Sequence, residues 1–188
     1  MMTFSLAFYR RLWLSAIFAL FAVLIRETAL AFVAATAAVA LLHSDPRRTL
    51  AMVGISVVSV GLWLYHAHLA AMVTVPSDPT SPGWLYFRGP SLILAASRWN
   101  LLTATLPDPP LIAALVVMAG GLLLVRRHEL QVAAVTVALF CIALLALGRA
   151  DNDYWGIMFA PFLGLGLPEL VRRTSRYAAQ TKATYHRR

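Results

Sequence analysis

The chain has 188 residues, of which 60% are hydrophobic and only 13% charged, a composition that excludes an ordinary soluble domain. The formal net charge of +8 would suit a nucleic-acid-binding protein, but the basic residues lie at the ends of apolar runs. We therefore expect a multi-pass membrane protein with membrane lipid around it and no nucleic-acid partner.

Six apolar runs, bounded by charged or turn-forming residues, predict an all-α, polytopic transmembrane helical bundle of about six spans. In chain order they cover residues 12–25, 28–42, 50–75, 110–125, 130–147 and 154–171. Because a spanning helix needs about 20 residues, the first, second and fourth runs are short unless flanking residues complete them. The first two runs have an alternative, which is a hairpin whose tip lies below the membrane surface.

The arginines predict the orientation. With the amino terminus inside, 12 of the 16 basic residues fall on the cytoplasmic side, as the positive-inside bias requires. Both termini are then cytoplasmic, residues 1–173 form the transmembrane domain, and residues 174–188 form a basic cytoplasmic tail. A cleaved signal peptide is the alternative for the first run, but the charged pair Arg26-Glu27 and the apolar sequence beyond it favour a retained anchor.

The longest outer connection, residues 76–109, begins as a proline-rich loop. Residues 91–105 then become helix-like, with Leu92, Ala95, Ala96, Trp99 and Leu102 on one side. This segment is too short to span and is interrupted by Arg98 and Asn100, so it predicts an interfacial or re-entrant helix at the outer face.

Charged residues near an apolar zone are costly unless they are paired or face a wet cavity, which makes those of the outer face functional candidates. Arginines around an outer cavity would suit a lipid-linked phosphate, which guanidinium groups bind through two parallel hydrogen bonds. The candidates for lipid-phosphate binding are Arg26, Arg88, Arg98 and Arg149. The other outer-face candidates are Glu27, His66, His68, Asp151 and Asp153.

Each candidate also has a structural interpretation. Arg26 and Glu27 would serve equally well as a local ion pair at a tight hairpin. His66 and His68 lie on different faces of a helix and are poor joint metal ligands, so interfacial positions are favoured. The Asp151-Asn-Asp153 sequence is similar to the Asp-x-Asp of metal-dependent sugar transferases, but helix capping by Asn152 or Asp153 is favoured. Arg88 and Arg98 would also contact lipid headgroups.

The remaining motifs indicate no catalytic or metal-binding site. The single cysteine, Cys141, excludes an intrachain disulfide, and no Gly-rich phosphate loop or His-x-x-x-His pair occurs, so we expect no metal and no cofactor. Gly120-Gly121 and Gly164-x-Gly166 are interpreted as sites where helices pack closely.

Four segments together resemble a known family. The segment 14–30 (LSAIFALFAVLIRETAL) is similar to the L-x-R-E/P-x-x-x-L helical hairpin of bacterial membrane glycosyltransferases of the GT-C type. These enzymes use polyprenyl-phosphate sugars and are related to protein mannosyltransferases and aminoarabinose transferases. The stretch 75–84, then Arg98-Trp-Asn-Leu-Leu, then Asp153-Tyr-Trp-Gly followed by Pro161, resembles the later part of a subgroup linked to cell-surface glycopolymers.

The resemblance implies a bacterial inner-membrane protein that binds a polyprenyl-phosphate sugar at its periplasmic face, with Arg26 and Arg98 as cavity residues. In that family the catalytic acid lies in a large outer loop after the first span, within an amino-terminal half that this chain lacks. Glu27 matches the hairpin motif and not that acid, so no catalytic residue is assigned. The chain is then expected to be a carboxy-terminal half, either from a truncated reading frame or as a subunit that needs a partner.

Two other functions remain open. A non-catalytic assembly subunit or scaffold would tolerate substitution of the outer charged residues. A transporter is less favoured, because transporter sites usually lie between repeated halves and this chain shows no internal repeat.

Overall fold

The computed structural model describes residues 11–75, 87, 89–147, 149 and 151–185, and the regular structure in these residues is helical. The helices are α1 (Leu12–Ile25), α2 (Leu30–Leu42), α3 (Pro46–Val73), α4 (Pro90–Ser97), α5 (Asp108–Leu123), α6 (His128–Ala146), α7 (Gly156–Leu163) and α8 (Gly166–Tyr185). Two 3₁₀ turns, Glu27–Ala29 and Asn152–Trp155, precede α2 and α7. The predicted all-α class is confirmed.

Three helical segments of the described residues are long and apolar enough to cross a membrane: Pro46–Val73, His128–Ala146 and Asn152–Tyr177. Three others, Leu12–Ile25, Glu27–Leu42 and Asp108–Leu123, are apolar but shorter. At 1.5 Å per residue a 14-residue helix such as α1 extends about 21 Å, less than the roughly 30 Å of a bilayer core. The shortness predicted for the first, second and fourth runs is therefore observed.

The last predicted span differs from its expected form, because the single helix expected over residues 154–171 is two helices with a break at Gly164 and Leu165. Pro161 lies inside α7 and has no backbone N–H to donate, and glycine has low helix propensity. The chain continues through the break by short turns in which Leu165 N–H donates to Phe162 O and Leu167 N–H donates to Gly164 O. Beyond the break, α8 continues past residue 173, so the predicted domain boundary lies within a helix.

The break lets α8 pack backbone-to-backbone against α5. A Cβ added to Gly121 would overlap the carbonyl group of Gly166, and one added to Gly166 would overlap the carbonyl oxygen of Met118. A Cβ added to Gly120 would meet nothing within 4 Å, and one added to Gly164 would make only ordinary van der Waals contacts. Of the two predicted glycine pairs, one member of each therefore makes the close helix contact.

The helix of the outer connection is shorter than expected, because α4 ends at Ser97 and not near Thr105. The Asn100 Oδ1 accepts a hydrogen bond from Leu102 N–H, a turn that competes with helical hydrogen bonding. The hydroxyl of Thr103 donates to Ser97 O and so closes the end of the helix. Leu92 and Ala96 are buried as expected for one face, whereas Trp99 and Leu102 are exposed.

The short α4 packs against the main hydrophobic core of the bundle. Leu92 and Ala96 belong to the main hydrophobic core together with Phe140 and Phe159, whose rings stack at 5.6 Å between centroids. A Cβ at Gly156 would overlap Ala96 O, so this glycine brings α7 directly against α4. This contact fixes where α4 and the turn after it lie.

The bundle has two chemically different ends. The hairpin end, as we call it, contains the turns Glu27–Ala29 and Asn152–Trp155 and the residues that follow α4. The basic end contains the turn after α2, where His43 stacks on His128 at 3.6 Å between ring centroids. It also contains the end of α5, where Arg173 donates to Leu124 O.

Candidate functional site at the hairpin end

Contacts between distant segments build the hairpin end. The guanidinium of Arg26 lies 5.0 Å from the ring centroid of Tyr154, a cation–π contact that joins the α1–α2 turn to the turn before α7. Asn100 Nδ2 donates to Ala160 O at 2.8 Å, which ties the segment after α4 to α7. Residues about 60 to 130 positions apart in the chain therefore meet here.

A cavity of about 380 Å³ opens at this end between α4, the start of α5 and the turn before α7. Its lining combines one cation, two carboxylates, an indole and small or apolar side chains: Arg98, Asp108, Asp153, Trp99, Ser91, Leu94 and Ala95. Two of the residues selected from the sequence, Arg98 and Asp153, are thus brought to one cavity.

Arg98 is held firmly on the cavity wall. Its Nη2 donates to Asp108 Oδ1 at 2.6 Å, and its Nη1 donates to Leu106 O. The Arg98 side chain is 33% exposed and that of Asp108 is 69% exposed, so the ion pair is fixed on one side and open to a ligand on the other. Such a half-exposed pair contributes little net stability but orients the guanidinium.

Asp108 is the functional candidate that sequence reasoning missed. It stands in the sequence Pro107-Asp108-Pro109-Pro110, which was assigned to the end of the loop and the start of a span. Its ten-residue separation from Arg98 matches no helical spacing, so no periodicity indicates the pair. The hydrogen-bonded turns over residues 98–106 bring the two side chains together.

The Asp151-Asn-Asp153 segment does not cap a helix as expected. The 3₁₀ turn begins at Asn152, preceded by Asp151, and no side chain makes a capping hydrogen bond there. Asn152 is buried, and its Nδ2 has no acceptor among the described residues. Asp153 faces the cavity while Asp151 is exposed, so the two acids have different surroundings.

The turn after α1 is also not stabilised as one alternative expected. Arg26 and Glu27 do not form an ion pair with each other, and both are exposed. Glu27 begins the 3₁₀ turn, while Arg26 contacts Tyr154. Arg26 therefore lies beside the turn that carries Asp153, but it does not line the cavity.

The remaining candidates lie elsewhere. Arg149 is partly buried ahead of the second 3₁₀ turn, where its carbonyl accepts from Asn152 N–H at 3.1 Å, and it does not line the cavity. His66 and His68 lie on the distal half of α3, exposed and apart from the cavity. Arg88 lies outside the described residues. Among the described residues no group of three or more His, Cys, Asp or Glu side chains could hold a metal ion.

The chemistry of this cavity suits a polar ligand with an apolar part. Carboxylates accept hydrogen bonds from hydroxyl groups, a guanidinium donates to phosphate or carboxylate oxygens, and an indole offers a flat apolar surface. Trp99 is 45% exposed, which leaves part of that surface available. Comparisons with family models, with curated proteins and with solved structures each give no match for this chain, so the site is interpreted from its own geometry.

Proposed function

We propose that the hairpin end binds a polyprenyl-phosphate-linked sugar at the periplasmic face of the bacterial inner membrane, as a glycosyltransferase of the GT-C type or its carboxy-terminal part. The observation that carries the proposal is the meeting of three of the four segments that resemble that family, residues 14–30, 98–102 and 153–156. Arg26 of the first contacts Tyr154 of the third, and Arg98 of the second shares a cavity with Asp153 of the third.

The charged and aromatic side chains suggest which part of such a ligand each would contact. Asp108 and Asp153 are acceptors for sugar hydroxyls, and Trp99 offers a stacking surface for a sugar ring or an isoprene unit. Arg98 and Arg26 are the cations available for the phosphate. The proposal covers donor binding in glycan assembly; the catalytic acid would come from a partner subunit or from further sequence.

The test is donor binding by the full chain in lipid nanodiscs, with a short-chain polyprenyl-phosphate glucose as the probe. We expect Arg98→Ala and Asp153→Asn each to weaken binding by about tenfold, since each loses one charge-assisted hydrogen bond, worth about 1.5 kcal/mol. Asp151→Asn and Arg127→Ala are matched controls, because both residues are exposed and lie outside the cavity.

The controls are expected to bind as the unchanged chain does. Unchanged affinity in both Arg98→Ala and Asp153→Asn would overturn the proposal. Equal losses in Asp153→Asn and Asp151→Asn would also contradict it, since they would point to general surface charge and not to the cavity.

We also infer six crossings with both termini cytoplasmic. The distribution of basic residues supports this orientation, because it places the hairpin end outside and the basic end inside. The three shorter helices would cross with the help of flanking residues and local thinning of the bilayer.

Cysteine labelling in intact cells tests the topology. With Cys141→Ala as background, Leu101→Cys probes an exposed position of the hairpin end and Ser44→Cys an exposed position of the basic end. We expect a membrane-impermeant maleimide to label the first in intact cells and the second only after permeabilisation. The reverse pattern would invert the orientation, and labelling of both in intact cells would contradict the single crossing, α3, that the topology places between them.

A non-catalytic assembly subunit is the second candidate, and one observation favours it. Residues 60–75, the distal half of α3 and the two residues after it, are exposed on every face of the helix. A helix that leaves the bundle in this way has a large surface for a partner. This function predicts that Arg98→Ala and Asp153→Asn assemble with the partner as the unchanged chain does, and that no polyprenyl-phosphate sugar copurifies.

A further inference from the structure

A second cavity, of about 490 Å³, lies at the basic end, between the residues that follow α5 and the middle of α8. Four arginines, a glutamate and a tyrosine line it: Arg126, Arg172, Arg173, Arg176, Glu169 and Tyr177. None of these residues takes part in the hairpin-end site. The cavity therefore needs an explanation of its own.

Glu169 organises part of this cluster. Its side chain is only 6% exposed and accepts from Arg172 Nη2 at 2.6 and 2.8 Å and from Arg173 Nε at 3.2 Å. Arg173 also donates to Leu124 O, which joins α8 to the end of α5. A buried carboxylate with these partners holds two guanidinium groups in fixed positions.

One carboxylate cannot balance four arginines. Arg126 and Arg176 are exposed and make no hydrogen bond or ion pair with the described residues. The Nε of Arg172 is buried and has no acceptor among the same residues, so the cluster holds an unused donor as well as excess positive charge. An anion with several acceptor oxygens would satisfy this surplus.

The position of the cavity in the bundle indicates the source of the anion. Its glutamate, its tyrosine and three of its arginines lie in the segment Asn152–Tyr177, which is long and apolar enough to cross a membrane. Leu123, the last residue of α5 and three residues before Arg126, is 85% exposed. Basic side chains at the end of such a segment, with an exposed leucine near them in the chain, suit a molecule with a charged head and an apolar chain.

We propose that this cavity binds the phosphate group of an anionic membrane lipid, with an acyl chain running along the exposed Leu123 at the end of α5. Glu169 does not contact the lipid and positions Arg172 and Arg173. Arg126 and Arg176 donate hydrogen bonds to the phosphate from the exposed side of the cavity. The site is independent of the function proposed for the hairpin end.

The experiment measures lipid retained by the full chain. The protein is released from nanodiscs that contain phosphatidylglycerol in an excess of phosphatidylcholine, and bound lipid is counted by native mass spectrometry. We expect one retained phosphatidylglycerol, and a roughly tenfold weaker affinity in Arg126→Gln/Arg176→Gln because two charged donors are lost.

The control is Arg47→Gln/Arg127→Gln, which removes the same charge from two exposed arginines outside the cavity. It is expected to change the affinity less than about threefold, as general attraction to an anionic surface predicts. Arg126→Lys/Arg176→Lys keeps the charge but not the guanidinium forks, and an intermediate affinity is expected.

Three outcomes would overturn the proposal. Equal losses of phosphatidylglycerol affinity in Arg126→Gln/Arg176→Gln and in Arg47→Gln/Arg127→Gln would show general attraction to a charged surface. Retention of phosphatidylcholine equal to that of phosphatidylglycerol would show that the anion is not recognised. Displacement of the lipid by inorganic phosphate at equal concentration would show a site for free phosphate and not for a lipid. Thermal unfolding of each variant checks that the fold is kept.

Discussion

Replacing Gly121 by alanine is expected to destabilise the bundle by about 3 kcal/mol, whereas the same change at the neighbouring Gly120 is expected to be neutral or slightly stabilising. The added methyl group at Gly121 would overlap the Gly166 carbonyl, and both partners are backbone, so no side chain can rotate away. At Gly120 nothing lies within 4 Å of the new Cβ, and alanine is the better helix former.

Unfolding of the purified chain by increasing mole fractions of SDS in mixed micelles measures both variants. The pair is a stringent comparison because the two glycines are adjacent, share the helix α5 and receive the same methyl group. Equal stability of the two variants would mean that α5 and α8 do not cross at Gly121 and Gly166. A loss in Gly166→Ala similar to that in Gly121→Ala is expected from the same contact.

Replacing Phe159 by alanine is expected to cost about 3 kcal/mol of unfolding free energy. The ring is fully buried and stacks on Phe140 in the main core, so its loss leaves a cavity that helices on all sides cannot close. Lipid is as apolar as the core, and the loss therefore comes from missing packing contacts more than from exposure to water.

Phe21→Ala is the matched control, because Phe21 is 59% exposed on α1. In a bilayer its ring contacts lipid both in the folded bundle and when the helices are separated. We therefore expect the unfolding free energy to change by less than about 1 kcal/mol. The same SDS titration measures both. A Phe21 effect as large as that of Phe159 would place α1 within a packed interface and would contradict its exposed position.

The apolar runs predicted most of the helices, because helix formation in an apolar chain depends mainly on local sequence. The first run matches α1 at both ends, and the second to fifth runs match their helices within four residues. Prediction failed where side-chain hydrogen bonds or helix-breaking residues interrupt an apolar run. Asn100 and Thr103 end α4 early through side-chain hydrogen bonds, and Pro161 with Gly164 divides the last span.

The candidate site was predictable only in part. Arg98 and Asp153 were selected because a charge beside an apolar segment is costly and needs a reason, and that argument depends on sequence alone. Asp108 was not selected, because its pairing with Arg98 depends on the turns between them. His66 and His68 were selected by the same local argument but lie apart from the cavity.

The sequence by itself determined the helical class, the places where helices start and turn, and the separation of basic from apolar segments. These follow from composition and from the bilayer as solvent, since each helix satisfies its own backbone hydrogen bonds. The tertiary structure alone decided which segments meet: Arg26 with Tyr154, Gly121 with Gly166, and Arg173 with Leu124. Such contacts depend on helix crossings and side-chain shape, for which a single sequence has no local signal.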